Sequence, residues 1–144
     1  YLSIEARPGP KQRASRPAGE AERVAELSAD VDEFVRRYEE KTGHWEALLR
    51  DLRASGRRAV VWSAGSKGVM FLNMVETRDA IQYVVDINPR KHGMHIAGAG
   101  QRIVPPDFLR EYRPEVVVVM NPIYQEEIRS MTRQLGLEVS FLQA

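Results

Sequence analysis

From Glu20 to about Ser55 the apolar residues Val24, Leu27, Val31, Phe34, Tyr38, Trp45, Leu48 and Leu52 recur at alternating steps of three and four, with Lys41 occupying one apolar place. Such spacing lays a single apolar stripe along a helix. Gly56 then stands where helices commonly stop. The segment is expected to be one long helix or a helix pair divided at Gly43, because glycine within a helix costs roughly 1 kcal/mol against alanine. The stripe is expected to pack on a neighbouring domain. A self-associating coiled coil is the competing reading, since the steps also match a heptad.

Upstream of this helix the pattern changes twice. Tyr1 to Ala6 alternates Leu2 and Ile4 with polar neighbours, as a short strand does. Arg7 to Gly19 carries prolines, glycines and cationic groups with little to bury, and reads as a flexible linker. Residues 1–19 are therefore expected to be the tail of a preceding domain plus a linker, and residues 20–144 one domain with a helical segment over 20–55.

Downstream, short apolar runs alternate with helical patterns. Ala59 to Trp62 is an apolar run that stops at Ser63-Ala-Gly-Ser-Lys-Gly68, and Val69, Phe71, Leu72 and Val75 then follow a helical pattern. Tyr83-Val-Val-Asp86 is a second strand and Gln101 to Val104 a short third. Pro105 and Pro106 introduce a short helix with Phe108 and Leu109 as its buried positions. Val116 to Met120 is continuously apolar, as in a parallel strand covered on both faces. A helix over about Tyr124 to Leu135, capped by Gly136, leads to a last strand over Leu137 to Leu142. Repeated strand–helix alternation predicts an α/β three-layer sandwich around a parallel sheet.

The small-residue turn after the first strand is where chemistry is expected. Gly65 and Gly68 occupy two places of a G-x-G-x-x-G pattern, and Ser63 takes the first. A turn of small residues exposes backbone N–H groups at a helix start, where an anion is favoured. Lys67 adds a mobile positive charge there. Asp86 follows Gly65 by about 20 positions, the separation at which dinucleotide folds place a ribose-binding acid. The plainer reading is that Asp86 opens the turn at Asn88-Pro89. The loop from Asn88 to Gly100 is rich in glycine and cations, and Arg90, Lys91 and His92 offer donors suited to a diphosphate. The candidate ligand-binding residues are Ser63, Gly65, Ser66, Lys67, Gly68, Asp86, Asn88 and Lys91.

Composition narrows the classes. With 144 residues and a hydrophobic fraction of 43%, the chain can build a real core. A net charge of +1 gives no global field to recruit nucleic acid or an anionic membrane. There is no cysteine, which excludes disulfides and thiolate metal sites and fits a reducing cytoplasm. No apolar run approaches the roughly 20 residues of a membrane helix. His92 and His95 are three apart in a glycine-containing loop without a third ligand, so no metal site is expected. No nucleophile stands in a recognisable motif, and no catalytic residue is assigned.

Taken together, Trp62-Ser-Ala-Gly-Ser-Lys-Gly68 with Leu72-Asn73, Val84-Val-Asp-Ile-Asn-Pro-Arg-Lys-His-Gly93, and Gly98 to Pro105 resemble the C-terminal domain of sugar C-methyltransferases. Arg113-Pro114 before a hydrophobic strand and Glu127-Ile128 in the last helix continue the likeness, which runs from about Glu20 to the C-terminus. The resemblance implies a Rossmann-like domain that helps hold a nucleotide-linked 4-keto-deoxysugar. It further implies a separate N-terminal domain that binds S-adenosylmethionine, so no cofactor is expected in this segment. In such enzymes a base removes a proton beside the keto group, and the enolate carbon takes the methyl group. The expected partners are that N-terminal domain of the same parent chain and a nucleotide-linked sugar, with no nucleic acid and no membrane. Two departures stand out: Ser63 replaces the family's usual glycine, and Met120-Asn121-Pro122 replaces an aromatic-Asn pair. A freestanding nucleotide-binding or structural module is the alternative function. A nicotinamide-dependent oxidoreductase fragment is disfavoured by the absent first glycine and the absent acid–base set.

Overall fold

A computed structural model describes residues 19–77 and 79–144. The described chain falls into two units, one ending at Tyr38 and the other spanning Glu39–Ala144. The expected strand over Tyr1 to Ala6 and nearly all of the expected linker lie outside the described residues.

Helix α1 runs without interruption over Glu20–Ala54, the single long helix of the two forms expected. Gly43 does not break it. No packing neighbour approaches the place of its absent side chain, and Trp45 and Leu49, buried on either side of the next turn, hold the backbone in register. In the first unit the apolar residues Val24, Leu27, Val31 and Phe34 are all exposed, and Phe34 stacks on Tyr38 along the helix. The charged positions there bind one another, with Glu33 accepting from Arg36 and Arg37.

The second unit is the α/β sandwich. Strands β1 (Ala59–Trp62), β2 (Ile81–Val85), β3 (Arg102–Val104), β4 (Val116–Val119) and β5 (Ser140–Gln143) form one sheet in the order β3-β2-β1-β4-β5. Every pairing is parallel. Helices α2 (Ser66–Met74), α3 (Leu109–Tyr112) and α4 (Gln125–Gln134) connect them, with single 3-10 turns at Pro89–Lys91, Pro106–Phe108 and Pro122–Tyr124.

The pleat sorts the strand residues onto two cores. Ala59 and Val61 of β1, Val84 of β2 and Val116 and Val118 of β4 face one way. They pack with Trp45, Leu49 and Leu52 of α1 and Phe71 and Leu72 of α2. Val60, Trp62, Val85, Val117 and Val119 face the other way, against Leu109 and Ile128. All four residues of β1 and of β4 are buried, which explains why their sequences are unbroken apolar runs rather than alternating ones. Trp45 meets Phe71 edge to face at 4.9 Å between ring centres, fixing α1 against α2.

Strand order reverses at β1. The chain moves outward from β1 to β2 and β3, then returns to place β4 on the other side. In open α/β sheets ligands bind in the gap that such a reversal leaves beyond the carboxyl ends of the strands.

Candidate functional site

That gap is present as a crevice of about 470 Å³ beyond the ends of β1 and β4. Trp62 and Val119, the last residues of the two strands, lie in its wall with Met120 and Asn121. The β1–α2 turn contributes Ser63, Gly65, Ser66 and Lys67, the end of β2 contributes Asp86 and Ile87, and Lys91 follows from the next loop. A slightly larger hollow of about 500 Å³ lies elsewhere, beside Arg50, Arg53, Asn73 and Thr77. It includes neither the turn nor the strand ends, and Arg53 in it is already paired with Asp79 at 2.8 Å.

The turn keeps the geometry of a glycine motif although its first position is serine. Ser63 has φ of 103°, a region that favours glycine, and its N–H donates to the Val85 carbonyl at 2.7 Å. Its hydroxyl lies 3.3 Å from the N–H of Gly65. Gly68 is required by contact: a Cβ there would stand 2.1 Å from the Ser63 carbonyl oxygen. The last small residue of the motif therefore lets α2 press against the turn, and it does not itself line the crevice. Gly65 begins α2 with no side-chain cap, and the first turn of that helix carries no acidic residue. An uncapped helix start directs unfilled N–H groups and the positive end of the helix dipole outward. Lys67 lines the crevice beside it and is exposed.

Asp86 is the fastening of the site. It is buried, and three donors converge on its carboxylate. Oδ2 accepts from the Ala64 N–H at 2.8 Å and from Lys91 Nζ at 3.0 Å, and Oδ1 accepts from the Asn88 N–H at 2.9 Å. Burial on its own would push this carboxyl upward. The Asn88 N–H, the Lys91 ammonium and the Ala64 N–H together outweigh it, and the carboxyl is held below the ordinary aspartate value. Lys91 Nζ also donates to the Ala64 carbonyl at 3.1 Å. His92 Nε2 lies 2.7 Å from the Asp86 carbonyl oxygen, a contact that needs the proton on Nε2.

Of the eight residues singled out from the sequence, Ser63, Gly65, Ser66, Lys67, Asp86 and Lys91 meet in the crevice. Gly68 lies behind it, and Asn88 points into its own turn, where its side-chain oxygen accepts from the Arg90 N–H at 3.1 Å. Asp86 lines the crevice and organises the turn at Asn88, its N–H partner. The Lys91 charge is matched by Asp86 instead of standing open. Sequence reasoning missed the α4 wall. Tyr124, Glu127, Ile128 and Met131 all line the crevice, and their spacing of i, i+3, i+4 and i+7 is the signal that marks one helix face. Among the described residues no cluster of His, Asp and Glu is arranged to hold a metal ion, and no helix is long and apolar enough to cross a membrane.

A family model described as C-methyltransferase C-terminal domain matches residues 6–139. No curated protein matches the chain. Among solved structures, RSP, a Rex-family repressor, is 14% identical with a TM-score of 0.46, covering 61% of this chain and 52% of its own. RSP in complex with beta-NAD+ and operator DNA is 14% identical with a TM-score of 0.45, covering 69% and 57%. UDP-D-quinovosamine 4-dehydrogenase from Vibrio fischeri is 18% identical with a TM-score of 0.47, covering 60% and 76%. The chain thus spans about half the length of the repressor chains it matches.

Proposed function

The chain belongs to the C-methyltransferase C-terminal domain family, and from that membership we propose that it holds the acceptor of an S-adenosylmethionine-dependent methyl transfer, a nucleotide-linked sugar. The methyl donor and the base that deprotonates the acceptor belong to a separate N-terminal domain of the parent chain, working in the cytoplasm. The partner of this segment is then that domain and a small molecule, not nucleic acid. A keto sugar loses a proton from the carbon beside its carbonyl, and the enolate carbon attacks the methyl group of the donor. This domain's share is to bind and orient, and it binds no cofactor of its own.

One observation carries the reading. At the reversal of strand order, an uncapped helix start and the Lys67 side chain border the same crevice, whose floor is Trp62, Val119 and Met120. The N–H groups of α2 and the Lys67 ammonium suit the diphosphate, and the apolar floor suits a ring.

Chemical-shift NMR on the 144-residue chain with a thymidine diphosphate sugar is the test. Shifts should cluster on Gly65 to Gly68 and Asp86, with affinity on the order of millimolar where the other domain is missing. Lys67→Ala should weaken it roughly threefold to tenfold, as loss of one charge-assisted contact does. Shifts absent from the crevice at millimolar ligand would overturn the proposal and favour a structural module.

A further inference from the structure

The crevice has two chemically different walls, and only one is accounted for by a diphosphate. The α4 wall presents Glu127, Ile128 and Met131 on one helix face, with Tyr124 just before the helix. Ile128 is buried in the core against the sheet, Met131 packs beside it, and Tyr124 is exposed. Glu127 is the charged residue among them. Its neighbour Glu126 reaches Arg129 at 3.4 Å, whereas the Glu127 side chain has no hydrogen-bond or ion-pair partner among the described residues. The cations of the opposite side do not answer it either. Lys91 is bound to Asp86 and to the Ala64 carbonyl, and Lys67 stands at the start of α2 without an ion-pair partner among the described residues. An anion-binding crevice gains nothing for its anion from a carboxylate in the wall, since like charges repel. Glu127 lies in the first turn of α4, where a carboxylate suits the helix dipole, and its exposed oxygens are left to meet a hydrogen-bond donor on the part of the ligand away from the anion.

We propose that Glu127 is the specificity-determining residue of the crevice, accepting hydrogen bonds from hydroxyl or amino groups on the sugar ring while the diphosphate lies at the Lys67 end. The inference rests on the acceptor-binding reading above and adds to it which wall reads which half of the ligand. A carboxylate accepts two donors at once, so adjacent donors on a ring match it. Met131, on the same face and only partly buried, gives the ring an apolar surface beside these bonds. Tyr124 is more than half exposed and presents a second polar tip at the rim.

The experiment titrates the 144-residue chain, followed by chemical-shift NMR, with thymidine diphosphate and with thymidine diphosphate glucose. The chains compared are the unaltered one, Glu127→Gln and Lys67→Ala. Glu127 is exposed on a helix surface, so the glutamine variant keeps the fold, which its own spectrum verifies. Lys67→Ala should weaken both ligands by a similar factor. Glu127→Gln should leave thymidine diphosphate within twofold and weaken the glucose conjugate roughly fivefold to tenfold, the loss expected for hydrogen bonds to a charged acceptor. Equal effects of Glu127→Gln on the two ligands, or none on either, overturn the assignment while leaving the acceptor-binding reading in place. Absence of crevice shifts with both ligands overturns the two together.

Discussion

Ser63 and Gly68 show how one residue position depends on another across a turn. The positive φ of Ser63 is a strained choice for a residue with a Cβ, and it aims the Ser63 carbonyl at the place where Gly68 must lack a side chain. Ser63→Gly should relieve the strain and raise stability by up to about 1 kcal/mol, read as a higher Tm. Gly68→Ala should cost about 1–3 kcal/mol by forcing α2 away from the turn, measurable by denaturant unfolding. Asp86 gives a pH signature whose sign follows from its environment. Its folded carboxyl binds a proton less readily than an unfolded aspartate, so its stabilising contribution is full at neutral pH. That contribution fades as pH falls from the ordinary aspartate value, about 4, through the lower folded value. The stability gap between the unaltered chain and Asp86→Asn should therefore be constant near neutrality and shrink below about pH 4. Spacing alone placed Asp86 at a ligand; three donors at 2.8–3.0 Å, two of them backbone N–H groups from separate loops, could not be read from a linear sequence.

At the scale of elements, most of what formed was legible, because β1 and β4 are buried on both faces and their sequences have no polar residue to hide. The first four strands and the helix after the small-residue turn fall where the pattern puts them, whereas the last strand begins at Ser140 and not at Leu137, whose N–H still bonds the Thr132 carbonyl at the end of α4. The C-terminal half of α1 was legible as a helix but not in its facing. The stripe takes Leu48 as the buried position after Trp45, whereas the helix turns Leu49, four positions after Trp45, fully into the core. Leu49 is 1% exposed and Leu48 only partly covered. Leu49→Ala should accordingly cost about 2–5 kcal/mol in dilute protein. Leu27→Ala, on the exposed stretch of the same helix, should change stability by no more than about 0.5 kcal/mol under the same conditions. The α4 wall escaped notice for a related reason: Tyr124, Glu127, Ile128 and Met131 have helical spacing, but only the reversal of strand order turns that face toward a crevice.

For the whole molecule, the proposal that the methyl donor belongs elsewhere has a direct calorimetric consequence. The 144-residue chain should give no micromolar heat of binding with S-adenosylmethionine, and such a heat would contradict the division of labour proposed. A different consequence follows from the buried carboxylate that clasps the Ala64 amide, the Lys91 ammonium and the Asn88 amide. Two loops that could otherwise drift apart are tied into one body before any ligand arrives. The Ala64 N–H is sequestered inside that body, so its exchange with deuterium should require opening of the clasp and run slowly in the empty protein. Ligand should slow it little further, whereas Asp86→Asn should speed it strongly even with the sheet intact. The rate at this single amide then distinguishes a crevice that is ready in advance from one assembled by its guest.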